Sequence, residues 1–395
     1  MARAVVIGGG IGGLATAQAL QARGWAVDVL EERDLAPVGA GLAVAPNALR
    51  ALDTVGLGDA VRERAAIGTG GIRTWRGRWI MPTDVDEMRR RFGDTIAIVP
   101  RAELMEILSG GAVAPAIHTR TRAVLTDAGD RDRPARITAD DGREWEADLV
   151  VAADGIRSHT RETLFPGHPG PVHSGFTTWR LITEGVDASV SAESWGPDGS
   201  VGIMPLADGR VYLYAMSRVP AHTPAGDERA GLLRRFGRWH DPIPQVIDRA
   251  DPGAVLRNDV WHMATPLPAH HRGRVAVVGD AAHAMTPNLG QGACQAIEDA
   301  VVLAHAVGKG DAVPERLPAY TAARLPRTSA IVRRSAAVGR MSLVRNPLGR
   351  ALRDNGTVLT LRLLPSLFFG PVEETLGWRP PTDGSRPERS ARYGA

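Results

Sequence analysis

Apolar positions along this chain follow two periods. β-branched or alternating runs mark strands, and spacings of three and four mark helices. Val5-Val6-Ile7 is a short apolar strand, followed by an Ala/Leu-rich helix and a second strand over 25–31. Residues 34–52 read as loop, then helix. Strands at 70–79 and 96–100 flank a polar stretch, 84–93, and a helix opens at Pro100-Arg101. Runs at 117–125, 135–139 and 144–151, separated by Asp/Gly-rich turns, read as a β-meander.

From about residue 172 short alternating strands dominate, at 175–183, 190–195, 201–205 and 211–217. A helical pair at 226–248 carries Arg234, Arg235 and Arg238 on a polar face, and a strand returns at 255–263. Arg274 to Val278 is another apolar run. The helix after it places Ala293, Ile297, Val301 and Ala304 on one face and Glu298-Asp299 on the other. The rest is helical: 317–339, with a kink expected at Arg324-Leu325-Pro326-Arg327, then 347–354 and 358–364. Residues 379–395 are rich in Pro, Arg and Ser and are expected to be disordered.

Three glycine-bearing stretches carry the chemistry. Gly8, Gly10 and Gly13 form G-x-G-x-x-G between a strand and a helix, with Gly12 inside it. Glu31 ends the next strand about twenty residues on, where a carboxylate can bind a ribose hydroxyl. Glu32 beside it is either solvated or shares that contact. The second stretch is Asp148 to Ser158, with Asp154-Gly155 at its turn. The third runs from Gly279-Asp280 through Pro287, Gly290, Gly292 and Ala293 into a helix. A helix N-terminus fed by glycines offers unpaired N–H groups and positive potential to an anion or an electron-rich ring. Asp280 can accept hydrogen bonds from a polyol; the alternative is a tight loop capped by a polar residue.

Taken in this order over residues 1 to about 310, these motifs resemble the single-component FAD-dependent aromatic hydroxylases of the para-hydroxybenzoate hydroxylase type. The compact salicylate and urate hydroxylases are the most similar. The resemblance implies an α/β fold in which a Rossmann-like FAD-binding domain, a parallel sheet plus a β-meander, is interleaved with a mixed-sheet substrate domain. It places the FAD domain at 1–70, 98–171 and 265–340, the substrate domain at 71–97 and 172–264, and C-terminal helices at 341–378. It implies FAD contacts from Gly8, Gly10, Gly12, Gly13, Glu31, Arg101, Val124, Asp154, Asp280, Gly290, Gly292 and Ala293. The segment around Pro37-Val38-Gly39-Ala40-Gly41 would lie against the flavin edge. NAD(P)H would reduce the flavin, and a flavin hydroperoxide formed with O₂ would transfer one oxygen to an electron-rich ring. Pro287 would shape the oxygen-reacting face, and N–H groups near Gly292 and Ala293 would stabilise negative charge on the flavin.

Trp179, Arg180, Met204, Tyr212 and Tyr214 are the candidates to line a substrate pocket. Each aromatic could equally be sheet core, and Arg180 could equally be the outward member of an alternating strand. Urate hydroxylases of this type carry an arginine shortly before the strand matching 201–205. Here that neighbourhood is Pro197-Asp198-Gly199-Ser200, so the expected substrate is an electron-rich aromatic or heteroaromatic other than urate. Baeyer–Villiger insertion or epoxidation on the same scaffold, or a flavin-binding sensor without turnover, remain alternatives. No general base is evident, and His283 is expected to fix the loop.

Composition narrows the rest. At 395 residues two joined units are expected, and 44% hydrophobic content suffices for a core. The single cysteine, Cys294, forbids an intrachain disulfide and fits a reducing, cytoplasmic setting. The net charge of +3 is too mild for a nucleic-acid partner, and the basic residues are nearly all arginine. Lys309, the only lysine, sits between two glycines, so no G-K-[ST] phosphate loop exists. There is no G-x-S-x-G elbow and no H-E-x-x-H, and His270-His271 is read as a surface pair rather than a metal site. No signal peptide or membrane-spanning run is read. The apolar stretch 363–369, with Arg345, Arg350, Arg353 and Arg362 nearby, would lie on a membrane surface or pack across the domains. A monomer or homodimer is expected.

Overall fold

Val5-Val6-Ile7 and Leu149-Val150-Val151-Ala152 are buried throughout in the computed structural model, as strands covered on both faces must be. The structure describes residues 1–382 apart from 36–40, 68–69, 112–113, 189, 225 and 311. Pro37 to Ala40 and most of the 379–395 tail therefore lie outside the described residues.

The two strands pair in parallel at the centre of a six-stranded sheet. Its order is His271–Arg272, Val275–Val277, Leu149–Ala152, Arg3–Ile7, Ala26–Leu30, Ala116–His118, with only the first pair antiparallel. Alternate side chains serve two cores. Ala4, Val6, Val29 and Val151 pack under the helices Ile11–Gln21 and Gly292–Val307. Val5, Ile7, Val150 and Val277 pack against Leu125, Ile137 and Trp145 of a three-stranded antiparallel meander. A methyl on Gly12 would stand 3.3 Å from that of Ala296, so small residues let the two helices meet.

The meander differs from the expected one in its boundaries. Runs 117–125 and 144–151 each divide between two sheets. Arg120, at φ +52°, turns the chain between Ala116–His118 and Ala123–Asp127. Asp148 breaks the second run, its carboxylate accepting the Arg3 N–H at 2.9 Å and so starting Leu149–Ala152 on the central sheet. The polar stretch 84–93, given no element by the sequence, holds a helix, Val85–Phe92, capped by Asp84 and ended by Gly93 at φ +75°. None of its residues is fully buried; Val85, Met88 and Phe92 share one face, from which Met88 and Phe92 pack on the core, and the charged residues between them mask that spacing in the sequence.

A second, seven-stranded sheet runs Leu256–His262, Val172–Thr183, Val211–Ser217, Ser200–Pro205, Ala192–Trp195, Gly71–Thr74, Trp79–Pro82. It is mixed, because Ala192–Trp195 runs parallel to Gly71–Thr74. Trp179, Leu181, Val201, Ile203 and Leu213 bury one face under helices Glu228–Phe236 and Ile243–Asp248. The other face meets a small sheet of Gly41–Val44, Ala97–Pro100 and Ala66–Ile67.

Helix Val313–Ser342 runs as one element through Pro318 and Pro326. Pro347–Leu363 is one helix where two were expected, and Pro365–Leu376 follows. Arg50 donates to the carbonyls of Phe92, Leu376 and Trp378, tying the last helix to the first unit. Among the described residues, no helix is long and apolar enough to cross a membrane. The side chains of 365–369 lie outside the described residues.

Candidate active site

The first glycine loop is built for close backbone approach. Gly8 sits at φ +106°, and a Cβ there would stand 2.4 Å from the Ala153 carbonyl oxygen. A Cβ on Gly13 would stand 1.9 Å from the Gly8 carbonyl oxygen. Gly10, the residue capping Ile11–Gln21, has nothing within 4 Å of its missing Cβ, and no side chain caps that helix. Open space thus faces free helix N–H groups, the setting that suits a pyrophosphate. Glu31 accepts the Gly9 N–H at 2.6 Å and the Arg33 N–H at 2.9 Å, which ties the loop to the second strand's end. Glu32 is exposed and pairs with Arg33.

The third stretch forms the opposite wall. Gly279 turns at φ +58° and Asp280 opens a short helix, Asp280–His283. Asp280 is exposed and makes no hydrogen bond among the described residues, yet dense protein raises its pKa, while His283 and Arg101 pull it down. An exposed carboxylate so enclosed lies in a concave surface. Pro287–Leu289 is a single 3₁₀ turn ended by Gly290 at φ +61°. Pro287 and Gly290 are exposed, and Gly292 and Ala293 begin helix Gly292–Val307, again with no side-chain cap.

Beneath this wall lies a network that the sequence did not reveal. Glu298 and Asp299, expected on a polar helix face, are fully buried. Asp299 accepts the Gly279 N–H at 2.8 Å, His283 at 2.6 Å and Arg324 at 2.6 Å. Glu298 is held by Arg324, by Arg327 at 2.7 Å and by Asn47 at 2.7 Å. Burial alone would raise both carboxyls; Arg324 and Arg327 around Glu298, and His283 and Arg324 around Asp299, bring them below the ordinary range. His283 does fix the loop. His270 is corrected: it is 1% exposed, its ring centre 5.8 Å from that of His283 with the planes tilted by 40°, and burial pushes its pKa down to about 3. The Cys294 thiol is buried against Ala43 and Gly290, and burial raises its pKa to about 12.

The seven-stranded sheet supplies the third wall. Tyr212 and Tyr214 share a face, their rings 6.1 Å apart, with Met204 and Ile182 beside them. Gly41 meets that face, where a Cβ would stand 2.4 Å from the Tyr212 ring. Arg180 pairs with Tyr214 in register, donates to Asn258 at 2.6 Å and leaves its Nε without a partner. Arg101, half-buried, is depressed first by burial and then by Arg180, while Asp280 opposes both. Arg101, Arg180 and Asp280 therefore converge from three separate chain segments.

Other candidates fall elsewhere. Trp179 is corrected: strand alternation turns it to the opposite face, where it is 2% exposed and donates to Glu228 at 2.6 Å. Asp154 accepts from Ser158 Oγ at 2.5 Å and Thr160 N–H at 3.0 Å, so its carboxylate organises the turn into His159–Leu164. Val124 is exposed on the meander. Among the described residues no cluster of His, Cys, Asp or Glu is arranged to hold a metal ion.

A cradle of this kind fits a flavin dinucleotide, with open space at Gly10, an unpartnered Asp280 and two uncapped helix starts. Residues 1–335 match the family described as an FAD binding domain. The chain belongs to that family. Aurachin C monooxygenase/isomerase of Stigmatella aurantiaca is 36% identical over 360 residues, covering 89% of this chain and 92% of that protein. The 3-hydroxybenzoate 6-hydroxylase of Klebsiella oxytoca is 30% identical over 396 residues, covering 95% and 97%. The solved structure of Klebsiella pneumoniae HpxO with FAD and uric acid superposes with a TM-score of 0.86 at 26% identity, covering 95% of this chain and 96% of that one. The family member described here is an FAD-dependent monooxygenase of the aromatic-hydroxylase class.

Proposed function

We propose that FAD lies along the groove from Gly8–Gly13 to Asp280 and Ala293. There NAD(P)H would supply its electrons, and one atom of O₂ would enter an electron-rich aromatic or heteroaromatic molecule held against Arg180, Met204, Tyr212 and Tyr214. The convergence of Arg101, Arg180 and Asp280 carries this reading, because it brings the glycine-loop unit and the seven-stranded sheet to one cleft. On this reading residues 1–70, 98–171 and 265–340 hold the cofactor, and 71–97 and 172–264 hold the substrate.

FAD, when bound, supplies hydride acceptance and oxygen activation. The chain's own residues bind and orient. Asp280 accepts polyol hydroxyls, and Arg101 donates beside it. The free N–H groups at Gly292 and Ala293 favour negative charge at that helix start. Arg180 holds an oxygen substituent of the ring through the N–H groups of its guanidinium. Met204, Tyr212 and the Pro287–Gly290 turn keep water from the reacting atoms.

The test is an absorption spectrum of the purified protein, followed by NADPH and NADH oxidation with a panel of phenols and fused heteroaromatics. Compound-dependent oxidation giving a product heavier by one oxygen atom is expected. A colourless protein that takes up no FAD would refute the reading at its root, and a flavin-loaded protein stimulated by no aromatic compound would refute its substrate half.

A further inference from the structure

Register places Glu193, Gly202, Tyr214 and Arg180 in one row across four adjacent strands. Side chains in such a row share a face, here the one turned to the cleft. Gly202 is the gap in the row. A Cβ there would stand 2.1 Å from the Tyr214 ring, so the glycine lets that ring lie across the strand and reach Glu193. The Tyr214 hydroxyl donates to one Glu193 oxygen at 3.0 Å, and Trp195 Nε1 donates to the other at 2.9 Å.

Among the described residues no cation pairs with Glu193. The groups around it are Trp195, Ser200 and Tyr214, all uncharged; the Ser200 hydroxyl lies close but closes no hydrogen bond. The nearest cation in the row, Arg180, stands beyond Tyr214 and turns to Asn258. Glu193 and Tyr214 are nonetheless only partly buried, so they border the cleft rather than the core. Burial raises the pKa of both, so each loses its proton less readily than in water. A partly enclosed acid with no counter-ion is costly to ionise, and such groups persist at sites where a ligand uses them. The same corner holds Ser200, the last residue of the arginine-free segment Pro197-Asp198-Gly199-Ser200.

We propose that Glu193, steered by Tyr214, is the specificity-determining acceptor of the substrate cleft, selecting uncharged rings that present an O–H or N–H and rejecting carboxylated ones. The inference rests on the assignment of this cleft to an aromatic substrate. An uncharged donor gives Glu193 a charge-assisted hydrogen bond, whereas a carboxylate brings a like charge into a dry corner.

The test uses the FAD-loaded enzyme and a matched probe pair, 4-hydroxyquinoline and its 2-carboxylate, with binding read from the flavin absorption band. The uncharged probe is expected to bind at least about tenfold more tightly, and Glu193→Gln to reduce that preference about tenfold. Wild-type binding of 4-hydroxyquinoline should weaken as pH falls through the Glu193 pKa, a dependence lost in Glu193→Gln and partly kept in Glu193→Asp. Tyr214→Phe removes a donor to the carboxylate and should move that pH dependence upward. Equal or reversed preference, binding of neither probe, or a Glu193→Gln enzyme with wild-type preference and pH profile overturns the proposal. Failure of the underlying reading shows differently, as no FAD uptake or no aromatic-stimulated NADPH oxidation.

Discussion

The carboxylate of Asp299 accepts the backbone N–H of Gly279 at 2.8 Å, joining the middle of one helix to the turn that presents Asp280. The same carboxylate is held by His283 and Arg324. Asp299→Ala would leave Arg324 buried without that partner, a change that costs about 3–5 kcal/mol in comparable networks. Both the thermal midpoint and the flavin content should fall, read by calorimetry and by the ratio of flavin to protein absorbance. A variant of normal stability and full flavin content would remove Asp299 from the support of the site.

Asp280→Ala is expected to separate binding from folding. Asp280 makes no internal hydrogen bond among the described residues, so its loss should leave the melting point of the apoprotein near wild type. The lost cofactor hydrogen bonds, worth about 1–3 kcal/mol, should weaken FAD binding by about fivefold to a hundredfold. Fluorimetric FAD titration of apoprotein checks this, and unchanged affinity would free Asp280 of the role.

Neighbours in sequence should behave as opposites. Arg180→Ala is expected to raise KM about tenfold with flavin content unchanged, because Arg180 faces the cleft. Trp179→Phe should leave KM alone and cost about 1–3 kcal/mol, because it strips Glu228 of a buried donor. Steady-state kinetics beside thermal melts distinguish the pair, and a KM effect at Trp179 would contradict the strand's alternation.

Acid stability should carry the mark of His270. Its folded pKa is held at about 3, below the value near 6.5 of an exposed imidazole, so the unfolded chain binds the extra proton first. Its contribution is complete above about pH 6.5 and is lost as pH falls toward 3, at about 1.4 kcal/mol per unit. Asp299, also depressed, adds loss in the same direction at lower pH. Denaturant melts from pH 7 to 4 should show His270→Gln with a slope shallower by about one proton. An identical slope would mean that His270 is protonated in the folded state.

The cofactor cradle was legible because its chemistry is local: a glycine loop, a helix start and a strand-ending acid need only short spacings. The second sheet was legible as alternating strands. Four things were hidden. Glu298 and Asp299 fall on the polar side of their helix, and only the long helix from Val313 buries that side, through Arg324 and Arg327. His270 looked exposed in a polar loop, but Thr321 of the same long helix covers it. Glu193 is a lone acid in a short strand, a pattern that reads as solvent-facing; the gap at Gly202 and the hydroxyl of Tyr214 give it meaning only once register is known. Helix Val85–Phe92 was hidden for a related reason: its cap at Asp84 is clear, but its apolar face is only Val85, Met88 and Phe92 among five charged residues.

Alternation within the seven-stranded sheet has a bearing on how such an enzyme diverges. Ile182, Met204, Tyr212 and Tyr214 sit one residue away from Leu181, Ile203, Val211 and Leu213, which are locked beneath the helices. Changes confined to the first set alter the cleft without disturbing the packing that holds the strands together. A combinatorial library restricted to those positions should therefore yield mostly folded, flavin-loaded variants with altered substrate range, whereas the same mutational load shifted by one residue should yield mostly insoluble protein.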